Sequence, residues 1–171
     1  MATVVTRSRN AGKKKLSKRQ RELVVDLTEW SLDRLLGSKL TDSVRVTVYM
    51  DGTLFEKTKT YGLSVWEDKY RRGREFSLEV DTSVDFTAVL QTVAHECVHI
   101  KQWAVGEYFA VDDGAWVYEF RGATYDTREV DYWDLPWEIE AYGRMTGLIV
   151  NWVKERGLSE EDWYKKPMVV F

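Results

Sequence analysis

The sequence predicts an α+β fold: an N-terminal helix, a small and mostly antiparallel twisted sheet, then two further long helices. Three observations point to it. Apolar residues recur at helical spacing in three well-separated stretches. Between the first two, shorter runs alternate apolar and polar residues with the period of a half-buried strand. The chain has 171 residues, 44% of them hydrophobic and 13% aromatic, which is enough to bury one core.

Each element has its own justification. Ser17 and Gln20 fit a capping box, and Leu23, Val24, Leu27, Trp30, Leu35 and Leu36 continue the first helix to a stop at Gly37. From Ser43 to Met50, Val44, Val46, Val48 and Met50 alternate with polar residues, and Asp51-Gly52 supplies the turn. Tyr61 to Asp68 and Glu75 to Asp81 read as two more strands, antiparallel across the basic turn Arg71-Arg72-Gly73-Arg74. Phe86 to about Gly106 is a helix capped by Asp85 or Ser83. Trp116 to Phe120 and Ala123 to Tyr125 flank Arg121-Gly122 as a short hairpin. The last helix starts near Pro136, a good first-turn residue, and runs to about Glu155 before Gly157, with Ser159 capping a short turn beyond.

Charge is unevenly spread. The first 21 residues hold eight lysines and arginines and no acid, so the other 150 carry −11 against −3 for the whole chain. Residues 1–16 therefore read as a basic, disordered arm, and residues 17–171 as a single domain. Such an arm can serve solubility or make weak phosphate contacts with nucleic acid, whereas the acidic body is a poor nucleic-acid surface. No run approaches the roughly 20 apolar residues of a membrane span, and no signal-peptide pattern opens the chain. A cytoplasmic protein without membrane contact is expected. The single cysteine, Cys97, excludes an intramolecular disulfide and any Cys-rich metal site.

The chemistry is concentrated in His95-Glu96-Cys97-Val98-His99, which contains both histidines of the chain. On a helix, residues four apart share a face, so the two imidazoles can grip one Zn²⁺ while Glu96 serves an activated water. Projected at roughly 100° per residue, Phe86, Leu90, Val93, Cys97, Ile100 and Ala104 form the apolar side. His95 and His99 fall opposite it, beside Ala88, Gln91, Thr92 and Gln102. A buried histidine is ordinarily a satisfied core residue. Two of them off the apolar stripe, with an acid between, favour a metal. Cys97 points into the core as a small hydrophobe.

Zinc needs a third protein ligand, and with no further histidine a carboxylate must supply it. On the last helix Ala141, Tyr142, Met145, Leu148, Ile149 and Trp152 form a stripe that includes Glu138, while Glu140 falls opposite and faces solvent. A carboxylate on a buried stripe needs a compensating partner. A zinc ion is one; the alternative is that Glu138 only favours the helix start. The site so assembled is His95, His99 and Glu138 around Zn²⁺, Glu96 as general base, and Tyr132 as donor to the oxyanion with Tyr142 behind it.

The pairing of His95-Glu96-x-x-His99 with Glu138-x-x-Ala141 on a later helix resembles the gluzincin metallopeptidases, especially their small minigluzincin forms. It is also similar to uncharacterised phage and bacterial metallopeptidases with His-Glu-x-x-His-x-x-Gln, here ending at Gln102, and Pro-Trp-Glu-x-Glu-Ala, here Pro136 to Ala141. The resemblance covers most of the chain after residue 17. It implies a zincin-like domain that hydrolyses a protein or peptide substrate lying along a sheet edge. That edge would be the strand at Tyr61 to Asp68 or the one at Glu75 to Asp81. The sequence departs at Tyr142, where many gluzincins carry an aspartate supporting a ligand histidine. Other readings are a DNA-associated SprT-like protease tethered by the arm, and a catalytically silent metal-binding interaction protein of phage type. A further one is a self-processing protease whose cleft is covered by the Trp103 to Trp137 segment.

Overall fold

The computed structural model describes residues 1–9, 15–68, 70–111 and 116–167. Its main sheet has four strands, β1 (Thr3–Arg9), β2 (Arg45–Asp51), β3 (Gly62–Trp66) and β4 (Glu75–Asp81), in the order β1-β2-β4-β3. The long helices are α1 (Lys18–Leu36), α4 (Phe86–Val105) and α5 (Pro136–Arg156), with short α2 (Ser38–Thr41) and α3 (Leu54–Thr58) between strands. Val46, Val48 and Met50 of β2 and Phe76, Leu78 and Val80 of β4 form one buried cluster with the apolar residues of α1, α4 and α5. The helices therefore cover one face of the sheet. On the other, Arg9 lies over the Tyr49 ring at 3.5 Å and pairs with Glu79 at 3.0 Å.

α1 begins as its sequence requires. The Ser17 hydroxyl accepts from the Gln20 N–H at 3.1 Å while the Gln20 side chain accepts from the Ser17 N–H at 2.9 Å. Gly37 stops it with φ at +73°, a region open to glycine. The same device ends α4 at Gly106 and α5 at Gly157.

Two expectations fail together. Residues 3–9 are not part of a disordered arm: they form β1, in register with β2 from Thr3–Arg45 to Arg9–Asp51. The main sheet is not mostly antiparallel either, since β1–β2 and β2–β4 are parallel and only β3–β4 is antiparallel. The cause is shared. Parallel neighbours need a long crossover, and α1 provides it between β1 and β2. Charge density in the first 21 residues hid the alternation of Ala2 and Val4, which reach the core, with outward Thr3 and Val5. Some of the remaining bases meet partners in the folded body. Arg19 pairs with Glu161, and Arg21 donates to the Leu16 carbonyl at 2.6 Å. Lys13 and Lys14 lie outside the described residues.

The segment after α4 forms a second sheet, β5 (Tyr108–Ala110), β6 (Val117–Phe120) and β7 (Ala123–Asp126), all antiparallel. Arg121 and Gly122 make the expected two-residue turn, with φ at +50° and +85°. β5 has no counterpart in the sequence pattern, because three residues are too few for a periodic signal. Among the described residues no helix is long and apolar enough to cross a membrane.

Candidate metal centre

α4 is the central helix. It packs on α1, α5, β3 and β4, and every residue except Trp103 and Val105 is buried. Its polar side is thus enclosed as well, burying Gln91, Thr92, His95, Glu96, His99, Lys101 and Gln102. Buried polar groups require partners. The His pair meets a carboxylate from α5, which packs on α4.

The two imidazoles approach with Nε2 atoms 3.0 Å apart. Glu138, in the first turn of α5, sends Oε2 to within 3.2 Å of His95 Nε2 and Oε1 to within 3.4 Å of His99 Nε2. A tetrahedral ion with ligands at about 2.0–2.1 Å has ligand-to-ligand edges of roughly 3.3 Å, and each imidazole nitrogen lies at about that distance from the other ring and from one of the two carboxylate oxygens. Two imidazole nitrogens and one carboxylate, all buried, are a donor set suited to a divalent metal. The alternative reading of Glu138 as a helix-start acid is not what the side chain does. Its oxygens meet His95, His99 and Tyr132, whose Oη donates to Oε2 at 2.8 Å.

The electrostatics follow from the enclosure. Burial works against charge on both partners, yet the hydrogen bonds from His95 and His99 hold the Glu138 carboxyl far below the usual carboxylate range. For His99, burial opposes protonation, but the bond to Glu138 and the charges of Glu138 and Glu96 lift it to about 9. Burial, then the Glu138 charge, raises the Tyr132 phenol. The Cys97 thiol is buried and pushed up by burial, as expected of a core residue.

Glu96 is buried and lies against β3, so close that a Cβ on Gly62 would sit 2.9 Å from its Oε1. Glu96 and His95 share a cleft of about 300 Å³ with Tyr61, Gly62, Tyr132, Tyr142 and Met145. The cleft continues past His99 along Ser64 toward Trp103, Tyr108 and Tyr118. The second sheet therefore walls one end of it. β3 is the edge strand on this side, and β4 is interior. The Tyr61 carbonyl accepts from Asp81 and the Glu67 N–H donates to Glu75, so the odd residues of this strand face β4. By antiparallel alternation, Gly62 and Ser64 turn their N–H and C=O groups to the open edge beside His95 and Glu96.

Sequence reasoning missed what surrounds the ligands. Gln102 Oε1 lies 2.9 Å from His99 Nδ1, and its Nε2 donates to the Trp137 carbonyl at 3.0 Å and to Glu140 at 3.1 Å. Glu140 does not face solvent as its own helix suggested. Its carboxylate meets Lys101 at 3.2 Å, Arg121 at 2.9 Å and Arg144 at 2.9 Å. Wheel projection sees one helix, while Lys101 comes from α4 and Arg121 from the β6–β7 turn. Gln102, three residues after His99 on the same face, was the available signal. Tyr142, standing where a supporting aspartate was expected, packs edge-on against His95 with ring centres 4.5 Å apart.

No family model matches the chain, and neither a curated protein nor a solved structure matches it. The site is accordingly described by its geometry: a buried His95, His99 and Glu138 cluster that can hold a metal ion.

Proposed function

We propose that this centre binds zinc and hydrolyses peptide bonds, as a small metallopeptidase of the gluzincin kind. The observation that carries the reading is the convergence of His95, His99 and Glu138 beside Glu96, in a cleft bordered by an open strand edge. A cation held there supplies positive charge that brings the pKa of water to about 7 and polarises a carbonyl.

The chain's own residues supply the rest. An extended substrate pairs with the N–H and C=O groups of Gly62 and Ser64, which sets its backbone across the cleft. A Glu96 carboxylate oxygen takes the proton of the attacking water and delivers it to the leaving nitrogen. The Tyr132 hydroxyl, which donates to Glu138 Oε2 at 2.8 Å, turns from that carboxylate to donate to the oxyanion. Tyr142 and Met145 line one side of the cleft.

Metal analysis and hydrolysis of a peptide library test this together. The expected result is one zinc per chain, lost in His95→Ala, and activity reduced by about 10²-fold or more in Glu96→Gln with zinc retained. Protein that takes up no zinc removes the metal reading. Full activity in Glu96→Gln removes the general base.

A further inference from the structure

We infer that Gln102 and Glu140 form a positioning relay that fixes the tautomer of His99 and ties the two ligand helices together; this rests on the zinc-centre reading above. The argument starts from the amide's own hydrogen-bonding capacity. A glutamine side chain has two N–H donors and one carbonyl acceptor. Both neighbours of Gln102 Nε2, the Trp137 carbonyl and the Glu140 carboxylate, are pure acceptors. Rotating the amide by half a turn would set its oxygen against both of them and leave two buried donors misdirected. The orientation with Oε1 toward His99 is therefore dictated by chemistry.

Its consequence falls on the imidazole. Oε1 can only accept, so His99 Nδ1 must carry the proton, and the lone pair of the neutral ring is placed on Nε2. Nε2 is the atom facing His95 and Glu138. Without Gln102 either ring nitrogen could hold the proton, and part of the population would present N–H to the cation. Metal-binding histidines depend on such partners, and here an amide fills the place.

Glu140 holds the amide in turn. Its carboxylate is fixed by ion pairs to Lys101, Arg121 and Arg144, which leaves an oxygen directed at the amide. Arg121 reaches it from a left-handed turn position that an arginine rarely adopts, and it also pairs with Glu107 at 3.2 Å. The second bond of Gln102 goes to Trp137, the residue before Glu138. One side chain on α4 thus sets both the ring of one ligand and the backbone next to another.

The test is a zinc titration of the full chain with a competing chelator, alongside ¹⁵N spectra of the histidine rings in the zinc-loaded protein. Gln102→Leu should weaken zinc binding by about 10- to 100-fold and abolish the single Nδ1–H signal of His99. Glu140→Ala, one bond further from the imidazole, should weaken it less but in the same direction. The exchange Gln102→Glu with Glu140→Gln restores an acceptor for Nδ1 and a donor between the two helices but leaves the Trp137 carbonyl without one, so it should recover the Nδ1–H signal and only part of the affinity. Wild-type affinity and an unchanged Nδ1–H signal in both Gln102→Leu and Glu140→Ala would overturn the relay while leaving the zinc centre standing. A wild-type chain that binds no zinc would overturn the centre and the relay with it.

Discussion

Without a metal, His99 and Glu138 form a buried ion pair, and the two states of the site should respond to pH in opposite ways. The folded His99 titrates at about 9 against 6.5 for the ordinary group. A raised folded value means that its contribution to stability is fully present below pH 6.5 and is lost as the pH climbs through about 9. Zinc binding requires the neutral ring, so it releases that proton and strengthens over the same interval. Thermal melts of chelator-treated protein should show Tm falling from pH 6.5 to 9, and the stabilisation gained on adding zinc should grow across it. In His99→Gln the metal-free decline should shrink. A metal-free Tm that rises through this window would contradict the pairing. The residue scale is also where the sequence was most legible. Two imidazoles four apart on one helix, with an acid on the inward stripe of another, are consequences of helical periodicity and nothing more. Gln102 was visible only as a polar neighbour on the same face, because its partners lie on α5 and its role exists only across the helix pair.

At the scale of elements, the site depends on how closely β3 approaches α4. Gly62, the first residue of β3, permits the contact: a Cβ there would stand 2.2 Å from Thr92 Cγ2 and 2.9 Å from Glu96 Oε1. Gly62→Ala must push the strand away or rotate the proposed base, at a cost of about 1–3 kcal/mol. Lower activity with zinc content unchanged is expected, and Thr92→Ser, which removes the offending methyl, should restore much of the lost Tm in the double variant. If Gly62→Ala alone melts and hydrolyses like the parent, the strand is not held where the geometry puts it. Glycine in a strand could be read from sequence as a bulge or a close approach, but which surface approached it could not. The elements themselves were legible where length and capping agreed, as in α1, α4, α5 and β4. The sequence leaves the edge open between two strands, because strand order depends on β2 joining β4 directly and no local pattern encodes that.

Over the whole molecule, the N-terminal segment changes meaning once it is seen as β1. As a charged arm it would be dispensable. As a strand it closes the sheet on the side away from the metal centre, buries Ala2 at 3% exposure, and pairs along seven residues with β2. Local composition misled here because strand formation at this position is a tertiary effect. Val4 and Val5 gain a place only when α1 has turned the chain back and β2 offers its backbone. Removing residues 1–9 should then expose the β2 edge with its unpaired N–H and C=O groups, a template for pairing between chains. In a chain of this size each 1 kcal/mol lost lowers Tm by about 2–4 °C, and a strand bonded over this length contributes several kcal/mol. A fall of roughly 5 °C or more is expected in a melting experiment, with concentration-dependent light scattering from the truncated protein. The zinc affinity of the fraction that stays monomeric should be preserved, since β1 packs chiefly on β2 and α1 and the ligand and relay residues lie on α4 and α5. A truncated chain that melts with the parent and stays monomeric would return the segment to a solvated tail.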